Sequence, residues 1–152
     1  MIISYEKIFE RYYGLIDDVK ELSINDNDLL ELCTERLRSA TSYPYIRKLF
    51  STLTFDNEIQ QCDFELSTPV DDSTDEDFVI ELFAEGMAIK WLEPKVKSLK
   101  NTAKMFGGKE EKKLKDDYAG NREMLKEMKI EQQKLIRDHG FAFKPYSSTT
   151  ES

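Results

Sequence analysis

Few residues of this chain are of the types that most often do chemistry. There is one histidine, His139, and there are two cysteines, Cys33 and Cys62. His139 stands before a glycine at a predicted helix end, where a positive imidazole would interact favourably with the helix dipole. Cys33 falls on an apolar helical stripe, which favours a buried free thiol, and no other histidine or cysteine stands at metal-ligand spacing. These residues predict no catalytic site, no metal site and no cofactor.

Two charged segments resemble ligand-binding loops but lack their spacing. Gly107-Gly108-Lys109 has neither the earlier glycine nor the following Ser or Thr of a phosphate-binding loop. The acids of 71–77 lack the ligand spacing and the internal glycine of a calcium loop, and helix capping explains the later ones better. We therefore expect a protein without enzymatic activity. A small enzyme that uses paired carboxylates stays open as a third hypothesis.

The charge of the chain is unevenly distributed. The net charge is −8, yet the segment Lys95–Lys115 holds eight lysines against two glutamates. From Asp63 to Asp77 there are seven acids and no base. A net acidic protein disfavours free nucleic-acid binding, because phosphates repel it. The basic and acidic regions predict pairing between copies or docking to an oppositely charged protein, and two solvated loops would account for the same pattern.

The apolar periodicity predicts four main helices. Ser4 is a suitable cap for a first helix over 4–14, and the Asx-rich segment 25–28 begins a second helix that ends before Ser42-Tyr43-Pro44. Thr74 is expected to cap a central helix, and small residues at 84, 86 and 88 permit close approach of another backbone.

The central helix should bend or end at Pro94, because proline lacks the amide proton that a helix interior needs. A last helix covers 110–139, with apolar residues near heptad spacing and a weak point at Gly120 that would allow a hinge. Residues 51–66 alternate in polarity around Asp56-Asn57 and predict a β-hairpin. A lone hairpin is marginal in water, so it must lie on the helices or on another chain.

The fold class is therefore mainly α: a small helical bundle with a long central helix, a β-hairpin insert and an extended C-terminal tail. One domain covers 1–139, and the segment 140–152 is expected to be extended or disordered alone. No stretch approaches the roughly 20 apolar residues of a membrane span, and the N-terminus has no signal-peptide pattern. We expect synthesis in a reducing cytoplasm.

Candidate partner-binding residues are apolar or basic residues in segments that the helices do not need for their own packing. Met105 and Phe106 are apolar residues in a lysine-rich loop, and such pairs often anchor to a partner. The full set is Leu53, Phe55 and Phe64 of the hairpin, Lys95, Lys97, Lys100, Lys104, Met105 and Phe106 of the basic segment, and Phe141, Phe143 and Tyr146 of the tail.

The order of these elements and the central run FVIELFAEGMAIKWLEPKVKS, followed by NTAKMFGGKEEK, suggest a family. The chain resembles the head-tail connector proteins of tailed bacteriophages, which are also called head-completion or neck proteins. The resemblance covers about residues 1–138, and its most specific stretch is Asp77–Lys112.

The resemblance implies a virion protein of the neck that forms a ring, commonly of twelve copies, beneath the portal. Its partners would be other copies of itself, the portal protein, and tail or stopper proteins, with packaged DNA close by. Lys95–Lys115 would contact the portal or face the DNA, and the tail from Phe141 would become ordered on assembly. The alternative is a cytosolic adaptor or regulator that binds one partner through the hairpin.

Overall fold

The structure, a computed structural model, describes residues 1–103 and 108–141. In this part of the chain, long helices dominate and a small sheet accompanies them, so the mainly α prediction with a hairpin insert is confirmed. The elements in chain order are β1 (Ile2–Ser4), α1 (Tyr5–Leu15), α2 (Val19–Leu22), α3 (Asp26–Thr41), α4 (Pro44–Arg47), β2 (Phe50–Asp56), β3 (Gln61–Leu66), α5 (Asp72–Ala103) and α6 (Gly108–Phe141).

The first helices begin and end where their capping residues predict. The Ser4 hydroxyl accepts a hydrogen bond from the Lys7 amide at 3.5 Å, and the Asn25 side chain accepts one from the Asp28 amide at 3.0 Å. Each bond satisfies one of the amide groups that the first turn of a helix leaves without a partner. α3 ends at Thr41, directly before Ser42-Tyr43-Pro44, as predicted.

The central helix departs from prediction at both ends. The Asp71 carboxylate, not the Thr74 side chain, caps α5, because it accepts the Thr74 amide at 2.7 Å. Of the bend or end predicted at Pro94, the end is wrong, since α5 continues to Ala103. Pro94 itself is exposed, and its missing amide proton leaves one carbonyl of the preceding turn without its helical partner. α6 is likewise continuous through Gly120, without a break at that residue.

The sheet has the strand order β1-β3-β2 and is antiparallel throughout. The predicted hairpin is confirmed: Leu53 lies opposite Phe64, and Phe55 lies opposite Cys62. The sequence did not reveal β1, because three residues are too few to show alternation. β1 pairs with β3, with Ile3 opposite Cys62.

The core lies between one face of the sheet and helices α1, α3 and α5. Val79, Leu82 and Met87 of α5 are each 0% exposed. A Cβ atom built on Gly86 would lie 3.0 Å from the Ala40 Cβ and 3.2 Å from the Gln132 side-chain nitrogen. The small residues of α5 therefore allow α3 and α6 to approach closely, as predicted.

A buried polar cluster joins α1, α2 and α3. The Tyr12 hydroxyl donates to the Glu21 carboxylate at 2.8 Å and accepts from the Arg36 guanidinium at 2.7 Å. Arg36 also forms an ion pair with Glu21, which is 4% exposed. The buried carboxylate is thus matched by a cation and a hydroxyl, and the cluster has a structural role.

Candidate protein-binding surface

The α5–α6 pair continues beyond the core as a two-helix extension, which we call the arm (residues 94–102 and 108–122). None of these described residues is buried. Half-buried Val96 and Leu99 on α5 and Leu114 and Tyr118 on α6 recur at three- and four-residue spacing. The arm is therefore an antiparallel helix pair joined along one apolar stripe, and its remaining surface faces solvent.

The same stripe of α6 continues along the body. Its residues recur at heptad spacing and are less exposed than their neighbours: Glu111, Leu114, Tyr118, Asn121, Leu125, Met128, Gln132, Leu135 and His139. The Gln132 side chain donates to the Leu82 carbonyl at 3.4 Å. The His139 ring stacks on Phe78 at 4.0 Å, and burial lowers its pKa. His139 lies in the last turn of α6, as predicted, and packs there against Phe78.

The basic surface of α6, which we call the basic face, surrounds an exposed isoleucine. Ile130 is 54% exposed. The face contains one acid, Glu123, and five bases: Arg122, Lys126, Lys129, Lys134 and Arg137. An exposed apolar side chain within a ring of charges is a common arrangement at protein–protein contacts.

A groove of about 240 Å³ lies on a different side of α6, between that helix, α1 and α5. We call it the acidic groove. Its lining is apolar and acidic. The apolar residues are Leu15, Ala88, Met124 and Met128, the exposed Glu127 and Glu131 form the rim, and Glu85 is half-buried.

Glu85 is the most perturbed carboxyl group of the acidic groove. One of its side-chain oxygens is shielded from solvent and has no hydrogen-bond partner in the described part of the chain. Burial, followed by the negative charges of Glu81 and Glu131, raises the pKa of Glu85 to about 7. Arg11 opposes this effect only partly, because it is bound to Glu81 at 2.8 Å. Arg11, the cation that acts on Glu85, is thus already engaged by Glu81.

The base of the arm is fixed to the body by Asp18. Its carboxylate accepts the Trp91 indole N–H at 2.8 Å and pairs with the Lys95 ammonium at 3.3 Å. The Trp91 hydrogen bond, followed by Lys95, holds the pKa of Asp18 below its usual value. Lys95 is therefore engaged within the chain, whereas Lys97 and Lys100 are exposed on the arm.

The structure corrects part of the predicted contact set. Phe64 is 1% exposed and belongs to the core, so it is not an interface residue. Leu53 and Phe55 are half-buried and pack against the same core. The hairpin's inner face is occupied because the chain's own helices cover it. Phe141, in contrast, is 57% exposed at the end of α6.

Several predicted contact residues lie outside the described ranges. They are Lys104, Met105 and Phe106 of the basic segment and Phe143 and Tyr146 of the tail. The structure also contains candidates that the sequence analysis missed, namely Ile130 and the three groove glutamates. The heptad register of α6 could have identified Ile130 as an exposed apolar residue, because it places this residue away from the apolar stripe.

Within residues 1–103 and 108–141, no group of three or more His, Cys, Asp or Glu side chains is placed to hold a metal ion. In the same part of the chain, no helix is long and apolar enough to cross a membrane. Both cysteines are buried and free, as predicted for Cys33. No protein-family model matches the chain, and no curated protein or solved structure matches it.

Proposed function

We propose that this chain is a non-enzymatic structural protein of a tailed bacteriophage, which forms a ring of its own copies and joins the portal of the DNA-filled head to the tail. The observation that carries this proposal is the arm. Its two helices are held together by a single stripe, with no buried residue among those described. Such a helix pair offers its outer surfaces to other subunits, which is what a ring component requires.

The ionisable groups favour binding over catalysis. The buried Glu21 is matched by Arg36 and Tyr12, so its role is structural. Glu85 lies among apolar residues and other carboxylates in an open groove. That environment suits a cationic or partly apolar protein surface.

The charge distribution suits the neck of a virion. A net charge of −8 repels packaged DNA, so a ring with this charge lets DNA pass without holding it. Lys97 and Lys100 are exposed on the arm and are the candidates for portal contact or for facing the DNA. Phe141, 57% exposed at the end of α6, is a candidate for contact with a neighbouring copy.

A cytosolic adaptor that binds one partner through the hairpin is the alternative. The core occupies the hairpin's inner face, since Phe64 is buried there. An adaptor of this kind would have to use the outer surface, where Ile2 and Ile59 are each 61% exposed.

Sedimentation velocity over a wide concentration range tests the two functions. A closed assembly of many copies, or a mass that climbs toward one as concentration rises, is expected for a ring-forming connector. A dimer at every concentration would favour the adaptor. A mass of 17.8 kDa throughout, with no particles in negative-stain micrographs, would contradict ring formation by the chain alone.

A further inference from the structure

The basic face and the acidic groove are complementary in charge, and each has apolar residues among its charges. The basic face presents one exposed apolar side chain, Ile130, among lysines and arginines. The acidic groove presents apolar residues beside Glu85, Glu127 and Glu131. We propose that Ile130 of one copy inserts into the acidic groove of a second copy, with the surrounding bases paired to the groove carboxylates.

The two surfaces cannot satisfy each other within one chain. Lys126 and Lys129 point to a different side of α6 from Met124 and Glu131, since the first pair belongs to the basic face and the second lines the groove beside α1. One copy therefore keeps an open groove when its basic face is bound. The contact is head-to-tail, and head-to-tail contacts generate rings when their rotation closes. This inference rests on the proposed function only in assuming that successive head-to-tail contacts close into a ring.

The groove supplies what a buried isoleucine contact needs. Leu15, Met124 and Met128 line it, and the methionines adapt their shape to an incoming side chain. The charges around the two surfaces disfavour misaligned contacts and speed the association of the two copies. The apolar centre of the contact supplies most of the affinity.

The ionisation of Glu85 should make this contact depend on pH. The groups that face it are Glu81 on the same helix, Arg11 on α1, and Glu131 on α6, with Glu127 also on the groove rim. A lysine or arginine from the neighbouring copy would stabilise the charged form of Glu85. Association should therefore weaken between pH 8 and pH 6, and Glu85→Gln should reduce that pH dependence.

Two variants test the two halves of the contact. Ile130→Asp changes the basic face, and the double variant Glu127→Lys/Glu131→Lys changes the acidic groove. All three side chains are exposed, so each variant should fold, which circular dichroism and melting temperature would check. Each variant is expected to raise the dissociation constant for self-association at least ten-fold, as measured by sedimentation velocity.

Matched controls separate this contact from general changes in charge or polarity. Ile59→Asp alters an isoleucine that is 61% exposed in the hairpin turn, close to the 54% of Ile130. Glu31→Lys/Glu35→Lys alters two exposed acids of α3 with the same spacing and the same change in net charge. Both controls should assemble as the unchanged chain does.

A mixture of the two variants gives the sharpest result. The Ile130→Asp chain keeps an intact groove, and the Glu127→Lys/Glu131→Lys chain keeps an intact basic face. Mixed together, they should form a 1:1 dimer that does not grow, because only one intact pair of surfaces remains.

The outcomes also separate this inference from the proposed function. Rings that form normally from both variants would overturn the contact and leave ring formation standing. If both variants weaken association while the unchanged chain forms only open chains or dimers, the contact is supported and the ring is contradicted. Absence of any self-association by the unchanged chain at high concentration would overturn the contact, as would equal weakening by the variants and their controls.

Discussion

The two halves of the α5–α6 pair differ in how they are held, although the same two helices form both. In the body, α5 is covered by α1, α3, α6 and the sheet, and Val79, Leu82 and Met87 are each 0% exposed. In the arm, the same pair is joined along one stripe, with Leu99 and Leu114 only half-buried. Stability is thus concentrated in the body, and free surface is concentrated in the arm.

This difference follows from the sequence of α5. Between Phe78 and Leu92, apolar and small residues occur on all sides of the helix, so it has to be central. From Pro94 onward, apolar residues return only at Val96 and Leu99 before the end of the described helix. One helix can therefore serve as a core element along part of its length and as one side of an exposed pair along the rest.

The largest expected difference between body and arm lies in the stability that is lost when a leucine is replaced by alanine. Leu82→Ala removes a fully buried side chain from the body and should lower the free energy of unfolding by about 2–5 kcal/mol. Leu114→Ala in the arm should cost about 1 kcal/mol, because that side chain is only half-buried. Urea denaturation followed by circular dichroism measures both. Equal losses would show that the arm is packed as tightly as the body.

Gly86→Leu tests the close packing of the body from the opposite direction. A Cβ atom there would already contact Ala40 at 3.0 Å and Gln132 at 3.2 Å, so a leucine has to displace α3 or α6. The expected cost is about 1–3 kcal/mol in the free energy of unfolding. An unchanged midpoint in thermal and urea unfolding would mean that this face of α5 is more open than the structure shows.

Gly→Ala substitutions at two helical glycines should differ in sign. A Cβ atom added to Gly120 in the arm would meet nothing within 4 Å beyond its own helix and neighbours, so Gly120→Ala should stabilise the chain by about 0.5–1 kcal/mol. Gly86→Ala in the body should instead destabilise it. The pair is measured in parallel by urea denaturation, and a shift of the same sign in both would remove the proposed distinction between arm and body.

Most of the fold could be predicted from local signals, whereas the binding surface could not. Capping residues such as Ser4 and Asn25, and the alternation around Asp56-Asn57, act over a few neighbouring positions, so the sequence alone locates those elements. β1 was missed because its pairing with β3 joins residues about 60 positions apart along the chain.

The extent of α5 and the acidic groove depend on tertiary context. An interior proline either kinks or breaks a helix, and the proline alone does not decide which, so the continuation of α5 past Pro94 could not be read from the sequence. The groove combines Leu15 of α1, Glu85 of α5 and Glu131 of α6, which no spacing rule brings together. Phe64 was assigned to a contact surface because alternation identifies an apolar face but not what covers it.

Glu85→Gln gives the smallest expected effect on stability and tests how strongly the acidic groove shields Glu85 from solvent. The folded-state pKa of Glu85 is raised to about 7 from an ordinary value of 4.5, so the folded chain binds more protons than the unfolded chain between those pH values. Stability should therefore fall as pH rises through this window. A glutamine at this position does not ionise. The free energy of unfolding of the variant should therefore rise relative to that of the unchanged chain from pH 4.5 to pH 8, by under about 1 kcal/mol after allowance for solvent screening.

The measurement is urea denaturation at several pH values, at concentrations low enough to keep the chain monomeric. Glu35→Gln on the exposed side of α3 controls for the substitution itself. A constant difference between the Glu85 variant and the unchanged chain across this pH range would show that Glu85 is as well solvated as an ordinary surface carboxyl. Glu85 would then be a solvated carboxylate with an ordinary pKa, and a neighbour's lysine or arginine would gain less by pairing with it.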